Sequence, residues 1–275
     1  MNRITIVSHF HKNFYFNDKC EWIIPTCSED SPLKYDKQFT NISDKVLFSE
    51  LQNYYSKQTS DQFYKALGTE ASIYWLLNNY NYFKSDYLGF SSYRRFLHIL
   101  DNQSSEDRIS IEASKNNIDK YTSPVVYEKI IKIFDTFDVI LCKARKVDYD
   151  MCVEDQYLKY ESREHWNLFK EGITTLYPKY LDKIDWFRNS KYCSFETPII
   201  MKKDYFIEMT TEFFNILKYV WSRCSEVFPD KSIMHWDSVG ETPWRYPGFL
   251  GERFFPFYVN VNNISKYEVP LLFFI

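Results

Sequence analysis

Asp86-Tyr87-Leu88-Gly89-Phe90-Ser91-Ser92-Tyr93-Arg94-Arg95-Phe96-Leu97-His98 is a short apolar run that ends in a tyrosine and two adjacent arginines. Tyr87 to Phe90 reads as a buried β-strand. Arginine is a fixed cation whose planar fork of donors fits phosphate oxygens. Two of them at a strand end, in a chain rich in aromatic residues, point to a phosphate-bearing ligand. The competing reading is an exposed turn with two solvated arginines.

Working outward from this stretch, strands and helices alternate. Ile4 to Ser8 is a β-branched run that reads as a first strand, with His9-Phe10-His11-Lys12 at its end. Trp22 to Pro25 reads as a second strand, stopped by proline. Residues 28 to 60 are polar and read as loop plus a short helix from Phe48 to Tyr55. Asp61 to Phe83 places apolar residues on one helical face. Residues 101 to 122 read as a surface loop. Ser123-Pro124 is an N-cap with proline at the first helical position, and a helix from Val125 to Phe137 follows. Asp138 to Cys142 is a third strand. Val153 to Lys170 and Thr174 to Trp186 read as helices, and Ser194 to Met201 as extended. Asp204 to Arg223 is the longest predicted helix, with a stripe of Phe206, Met209, Phe213, Phe214, Leu217 and Trp221. A last helix starts near Leu250 and is interrupted by Pro256. The apolar end, Leu271 to Ile275, reads as a closing strand or helix, or as the point where a longer protein was cut. Such alternation argues for a mainly parallel sheet, whose ligands sit beyond the carboxyl ends of its strands. His11, Tyr93 and Arg94 fall at such ends.

Bulk composition removes several function classes. The chain has 275 residues, of which 45% are hydrophobic, enough for a large α/β core. The net charge of −3, from 34 basic and 37 acidic residues, lacks the basic excess of a general nucleic-acid binder. No nucleic-acid partner is expected. The six cysteines are scattered without a CxxC pair and read as free thiols of a reducing cytosol. No run approaches the ~18 apolar residues of a spanning helix, which leaves peripheral membrane association open. The aromatic excess fits AT-rich coding, and it also fits rings that stack on sugars.

Several motifs carry candidate chemistry. Neither GxGxxG nor a Walker loop is present, which argues against a dinucleotide or P-loop site. His9 and His11 fall on one side of a strand, without further evident metal ligands. Asp148-Tyr149-Asp150 is a formal DxD, of the kind that holds Mg²⁺ or Mn²⁺ against a diphosphate. It follows Lys143, Arg145 and Lys146, and the competing reading is a charged surface loop. Gly248-Phe249-Leu250-Gly251-Glu252-Arg253 places Glu252 at the start of an apolar helix, behind glycines that permit close backbone approach. Glu252 is either functional or a helix cap. His235, Trp236, Asp237 and Trp244 form a polar, tryptophan-rich stretch suited to a sugar-contacting loop or a packed surface flap.

Taken in order, these pieces resemble one family. They are His11-Lys12, Pro25, Glu70 with Tyr74 and Trp75, Tyr93-Arg94-Arg95-Phe96, Ile200-Met201-Lys202-Lys203, and Arg245 with Gly248, Phe249, Glu252 and Arg253. The pattern resembles the bacterial glycosyltransferase family of domain of unknown function 4422, found in capsular and exopolysaccharide gene clusters. It covers roughly His11 to Tyr258. Where the family has a histidine before the tyrosine, this chain has Ser92. Where the family has Asn-Met-Phe-Ile, this chain has Glu196-Thr197-Pro198-Ile199-Ile200.

The resemblance implies a GT-A-like α/β/α sandwich with a mainly parallel central sheet and a helical C-terminal part. It implies one domain over 1–275, with a nucleotide-sugar half (1–145) and an acceptor half (146–275). In GT-A enzymes the metal-binding acids follow a strand near the middle of the fold; here that position leads to Tyr93-Arg94-Arg95. Arginine is therefore expected to replace the metal as diphosphate counter-charge, with Mg²⁺ or Mn²⁺ on Asp148 and Asp150 as the alternative. Donor contacts are expected from His9, His11, Lys12, Tyr93, Arg94 and Arg95. Glu252 is expected as the base, with Asp237 in reserve, and Trp236, Trp244 and Arg245 on the acceptor side. The implied activity is transfer of a sugar from a nucleotide sugar, a UDP-sugar first, to a surface polysaccharide or lipid-linked glycan. The expected place is the cytoplasm, including the inner membrane face. The rival readings are a non-catalytic glycan-binding or assembly protein, and a phosphotransferase with another donor.

Overall fold

The structure is a computed structural model that describes residues 3–10, 14–27, 40–41, 67–100, 105–195, 198–227 and 246–275. Its centre is a sheet built from β1 (Ile4–Phe10), β2 (Ile23–Cys27), β3 (Thr40–Asn41), β4 (Tyr87–Ser92), β7 (Val139–Cys142), β10 (Ile199–Lys202) and β11 (Lys266–Val269). The order across the sheet is β3-β2-β1-β4-β10-β7-β11. All pairs are parallel except those of β10, which runs against both β4 and β7. Three further strands extend the sheet beside β4: β5 (Arg95–Leu97), β6 (Arg108–Ile111) and β12 (Leu271–Phe274). β12 lies between β5, antiparallel to it, and β6, parallel to it. A separate pair joins β8 (Arg145–Lys146) to β9 (Tyr192–Cys193).

Side chains alternate across the sheet and feed two apolar layers. Val7, Leu88, Phe90, Leu141, Ile199 and Met201 face the larger layer. It is completed by α1 (Thr69–Asn79), α4 (Val153–Tyr160), α5 (Arg163–Leu176), α6 (Leu181–Arg188), α7 (Lys203–Val227) and α8 (Tyr246–Val261). Ile4, Ile6, Tyr87, Ile140 and Ile200 face the other layer, under Val126, Ile130 and Phe134 at α3 (Pro124–Ile133). Tyr87 stacks on Phe134 at 4.0 Å between ring centroids, a contact worth about 1 kcal/mol beyond its burial. The whole predicted stripe of α7, from Phe206 to Trp221, is buried. The result is the expected α/β/α sandwich with a helical C-terminal part.

Several boundaries differ from the sequence reading. The expected surface loop at 101–122 contains β6 and α2 (Lys115–Tyr121), capped by the Ser114 hydroxyl, which accepts from Asn117 N–H. Tertiary pairing with β12 recruits β6 despite its polarity. The expected helix 153–170 is broken in two. Glu161 is extended, and the Ser162 hydroxyl accepts from Glu164 N–H and His165 N–H, which starts α5. The expected helix 174–186 is divided at Pro178, beyond which α6 begins. β2 continues through Pro25, because β3 pairs only with Thr26 and Cys27. The last helix starts at Tyr246 and passes through Pro256. Its neighbours Phe254, Phe255, Phe257 and Tyr258 are all buried, so packing outweighs the lost backbone bond. The apolar end forms β12. Of the predicted elements, the helix from Phe48 to Tyr55 lies outside the described residues.

No helix among the described residues is long and apolar enough to cross a membrane. Cys20, Cys152 and Cys193 are free thiols, as expected.

Gly89 lets the reversed strand β10 approach. A Cβ there would collide with the Ile199 carbonyl oxygen and lie 3.1 Å from the Ile200 Cα. Backbone cannot yield as a side-chain tip does. Gly89→Ala should therefore destabilise the fold by about 2 kcal/mol or more, read as a lower urea midpoint; an unchanged midpoint would show that the β4–β10 spacing is wrong.

Candidate functional site

Strands β1, β2 and β4 end on the same edge of the sheet, as neighbouring parallel strands must. Beside the end of β4 is a small cleft with a volume of about 40 Å³. Phe90, Ser91, Ser92 and Arg95 line it from β4 and β5. Thr69 and Glu70 come from the start of α1, Glu252 from α8, and Pro198 from just before β10.

The chain reverses sharply after β4. Ser92 pairs with Arg95, so Tyr93 and Arg94 form a two-residue turn. Tyr93 N–H donates to the His9 carbonyl at 3.0 Å, and Arg94 C=O accepts from Phe274 N–H at 2.9 Å. Tyr93 is buried among Phe10 and Phe14 and braces the turn. The two arginines then part company. Arg95 lines the cleft, and its Nε is buried with no hydrogen-bond partner. Arg94 lies over the rings of Tyr93 and Phe273, outside the cleft lining. Among the described residues no carboxylate pairs with either one.

Helix α8 brings the opposing charge. Gly248 and Gly251 allow its first turns to press on Glu70: a Cβ at either glycine would lie 3.2 Å from a Glu70 carboxylate oxygen. Glu70 is buried, and its carboxylate lies where the helix N-terminal dipole favours negative charge. The Glu252 side chain retains 23% exposure and faces the cleft. Its neighbour Arg253 is only 3% exposed. Arg253 donates to the Phe249 carbonyl and to Gln156, and its guanidinium lies over Tyr157 and Phe195. Arg253 therefore anchors α8 to α4.

The remaining candidates fall in different places. His9 is buried on the α1 side of β1; its Nδ1 is 2.9 Å from the Ser72 hydroxyl, which in turn meets the Thr26 hydroxyl at 2.7 Å. It braces the strand ends and is not in the cleft lining. Asp148 and Asp150 sit in a short turn before α4, away from the cleft lining. Asp150 is 74% exposed and bonded to Lys146 at 3.1 Å, which holds its carboxyl below the usual range. Among the described residues no group of three or more His, Cys, Asp or Glu side chains is arranged for a metal. His11, Lys12, His235, Trp236, Asp237, Trp244 and Arg245 lie outside the described residues, as does Glu196.

The sequence reading gave no role to Glu70, Thr69 or the Ser91-Ser92 pair. Glu70 was visible in the Glu70-Tyr74-Trp75 pattern, and its partners in the Gly248/Gly251 spacing. Ser92, which stands where the related pattern has histidine, lines the cleft directly.

The sequence matches the family model described as Domain of unknown function (DUF4422) over residues 5–263, and the chain belongs to that family. Comparison with curated proteins gives no match. Among solved structures, the fold is similar to the apo structure of the bifunctional glycosyltransferase WbbM, at a TM-score of 0.73 and 17% identity. The similarity covers 99% of this chain and 45% of that one, so this chain spans less than half of that protein's length.

The mounting of α8 gives the site a pH dependence. Tyr246, its first residue, stacks on His165 with ring centroids 3.9 Å apart and planes 8° from parallel. Burial pushes the His165 pKa down to about 4, against a smaller upward pull from Glu164. The folded state holds this ring neutral, while the unfolded chain takes up a proton below about pH 6.5. Stability is thus fully present above that pH and falls as pH drops towards 4, by on the order of 3 kcal/mol. Urea midpoints measured from pH 7 to 4.5 should show this slope, and His165→Phe should flatten it. An unchanged slope in that variant would contradict the assignment.

Proposed function

We propose that this chain is a glycosyltransferase that moves a sugar from a nucleotide sugar to the hydroxyl of a glycan acceptor. The observation that carries the reading is the cleft at the strand ends, lined by Glu70, Glu252 and an arginine, Arg95, that pairs with no carboxylate among the described residues. The fold similarity to WbbM supports it independently. A nucleoside diphosphate leaving a sugar gains negative charge, and a fixed donor nearby stabilises that charge as it develops. Arg95 supplies the cation, and its buried Nε has a hydrogen bond still to give.

Glu252 serves as the acceptor-side base. It is more solvent-accessible than Glu70, which is buried against the start of α8. An acceptor hydroxyl loses its proton to Glu252 as its oxygen bonds to the anomeric carbon. The bond from that carbon to the diphosphate breaks, and the departing charge meets Arg95. Glu70 sets the position of α8 and hence of Glu252.

Arg95 stands in for a divalent metal in this scheme. Asp148 and Asp150 fit that role poorly, since Lys146 already engages Asp150 on an exposed turn. The donor is read as a UDP-sugar and the acceptor as a capsular or lipid-linked glycan, handled in the cytoplasm beside the membrane.

A donor screen that reads nucleoside diphosphate release tests this directly. Arg95→Ala should weaken donor binding by about tenfold or more, as loss of a charge-assisted contact does. Glu252→Gln should lower kcat by about 10²-fold or more while donor affinity stays near wild type. Activity should survive chelation. Activity that vanished with chelator and returned with Mn²⁺ would overturn the role of Arg95. The absence of a thermal shift with UDP, GDP and CMP alike would overturn the transferase reading.

A further inference from the structure

Next to the cleft lies a second, apolar cavity of about 20 Å³. It sits between the sheet and α3, where Ile6 and Ile200 face Val126 and Ile130, and Trp22 and Phe96 also line it. Phe90, Ser91 and Pro198 line both cavity and cleft, so the two spaces adjoin. Alternation along β4 sends the Ser91 side chain to the side of Tyr87, which is the side of this cavity. Ser91 is 3% exposed, and among the described residues its hydroxyl has no hydrogen-bond partner. The hydroxyl of Tyr121, which also lines the cavity, meets His98 at 2.9 Å. A buried hydroxyl without a partner costs the folded state stability, and Ala in its place removes that cost. Such a group, aimed into a space that adjoins the cleft, points to a ligand that satisfies it.

Size and chemistry narrow the occupant. One water needs about 10–15 Å³, so this cavity takes one or two non-hydrogen atoms. A nucleobase or an acetamido group is too large. A buried water needs several polar partners, and Ser91 alone supplies too few. A carboxylate would lose its hydration among apolar walls. A methyl group fits but leaves the Ser91 hydroxyl unpaired. A hydroxymethyl group meets every limit: its methylene packs on the apolar wall, and its hydroxyl shares a hydrogen bond with Ser91 Oγ.

We propose that Ser91 and this cavity receive the hydroxymethyl group of a hexose donor, and so select hexoses over pentose and uronic acid donors. This rests on the reading of the cleft as a nucleotide-sugar site and deepens it. Arg95 lines the cleft but not the cavity, so the phosphate contact and the sugar contact are separate. Ser8 supplies an internal control. It stands opposite Ser91 on β1, it is fully buried, and its hydroxyl also has no partner among the described residues. It lines neither space.

Calorimetry on the full chain with UDP and with UDP-sugars of the gluco and galacto series tests the proposal. Each series supplies a hexose, the pentose that lacks the hydroxymethyl group, and the uronic acid. Wild type should bind one hexose donor about tenfold or more tightly than its pentose and uronic acid counterparts. Ser91→Ala should weaken that hexose donor by about tenfold and leave UDP and the pentose donor within about twofold of wild type. Its melting temperature should stay the same or rise. Ser8→Ala should also keep or raise the melting temperature, with donor preference unchanged. Hexose donors bound no more tightly than pentose donors, with UDP still bound, would overturn this proposal and leave the cleft reading standing. A sharply lower melting temperature in Ser91→Ala would assign the hydroxyl to the fold and overturn it too. An equal loss of hexose preference in Ser8→Ala would overturn the assignment to Ser91. No binding of UDP or of any donor by wild type would overturn the cleft reading itself.

Discussion

The reversal of the chain after Ser92 fixes where positive charge can act in this molecule. Ser92 and Arg95 face each other across a two-residue turn, so the β4 backbone direction decides where the Arg95 guanidinium goes. That turn is held from three sides. Tyr93 is buried beneath it, its N–H is bonded to β1, and the Arg94 carbonyl is bonded to β12. A long, flexible cation is thereby given a rigid base.

The opposing wall depends on a second close approach. Gly248 and Gly251 bring the start of α8 against the Glu70 carboxylate, and Arg253 ties the same helix to α4. Glu252 lies between these two constraints and keeps access to the cleft. The site is thus assembled from residues at opposite ends of the chain. The last strand, β12, contributes Phe273 beneath the arginines, while β4 and α1 contribute the serines and Glu70. Unfolding of α8 or loss of β12 would dismantle the constellation without touching the turn itself.

Much of this was legible in the sequence, for physical reasons that differ by element. β4 and the stripe of α7 were clear because strong apolar patterns map directly onto buried faces. The arginine pair at the strand end was clear because such a charge demands an explanation. Which arginine enters the cleft was not, since only the turn geometry separates Arg94 from Arg95. The division of 153–176 turned on a single capping serine within a continuous helical pattern. β6 was hidden because Arg108-Ile109-Ser110-Ile111 is too polar to read as a strand until β12 lies beside it. Glu70 was hidden because its partners are glycines about 180 residues away, and helix-to-helix proximity is a property of the fold.

The central claim is that a protein cation, Arg95, meets the phosphates of the proposed donor. ³¹P NMR of UDP titrated with this protein in the presence of chelator tests it most directly. Shifted or broadened phosphate resonances that persist with chelator, and are lost in Arg95→Ala, are the predicted result. Resonances that respond only after Mg²⁺ is restored, and respond equally in Arg95→Ala, would contradict it.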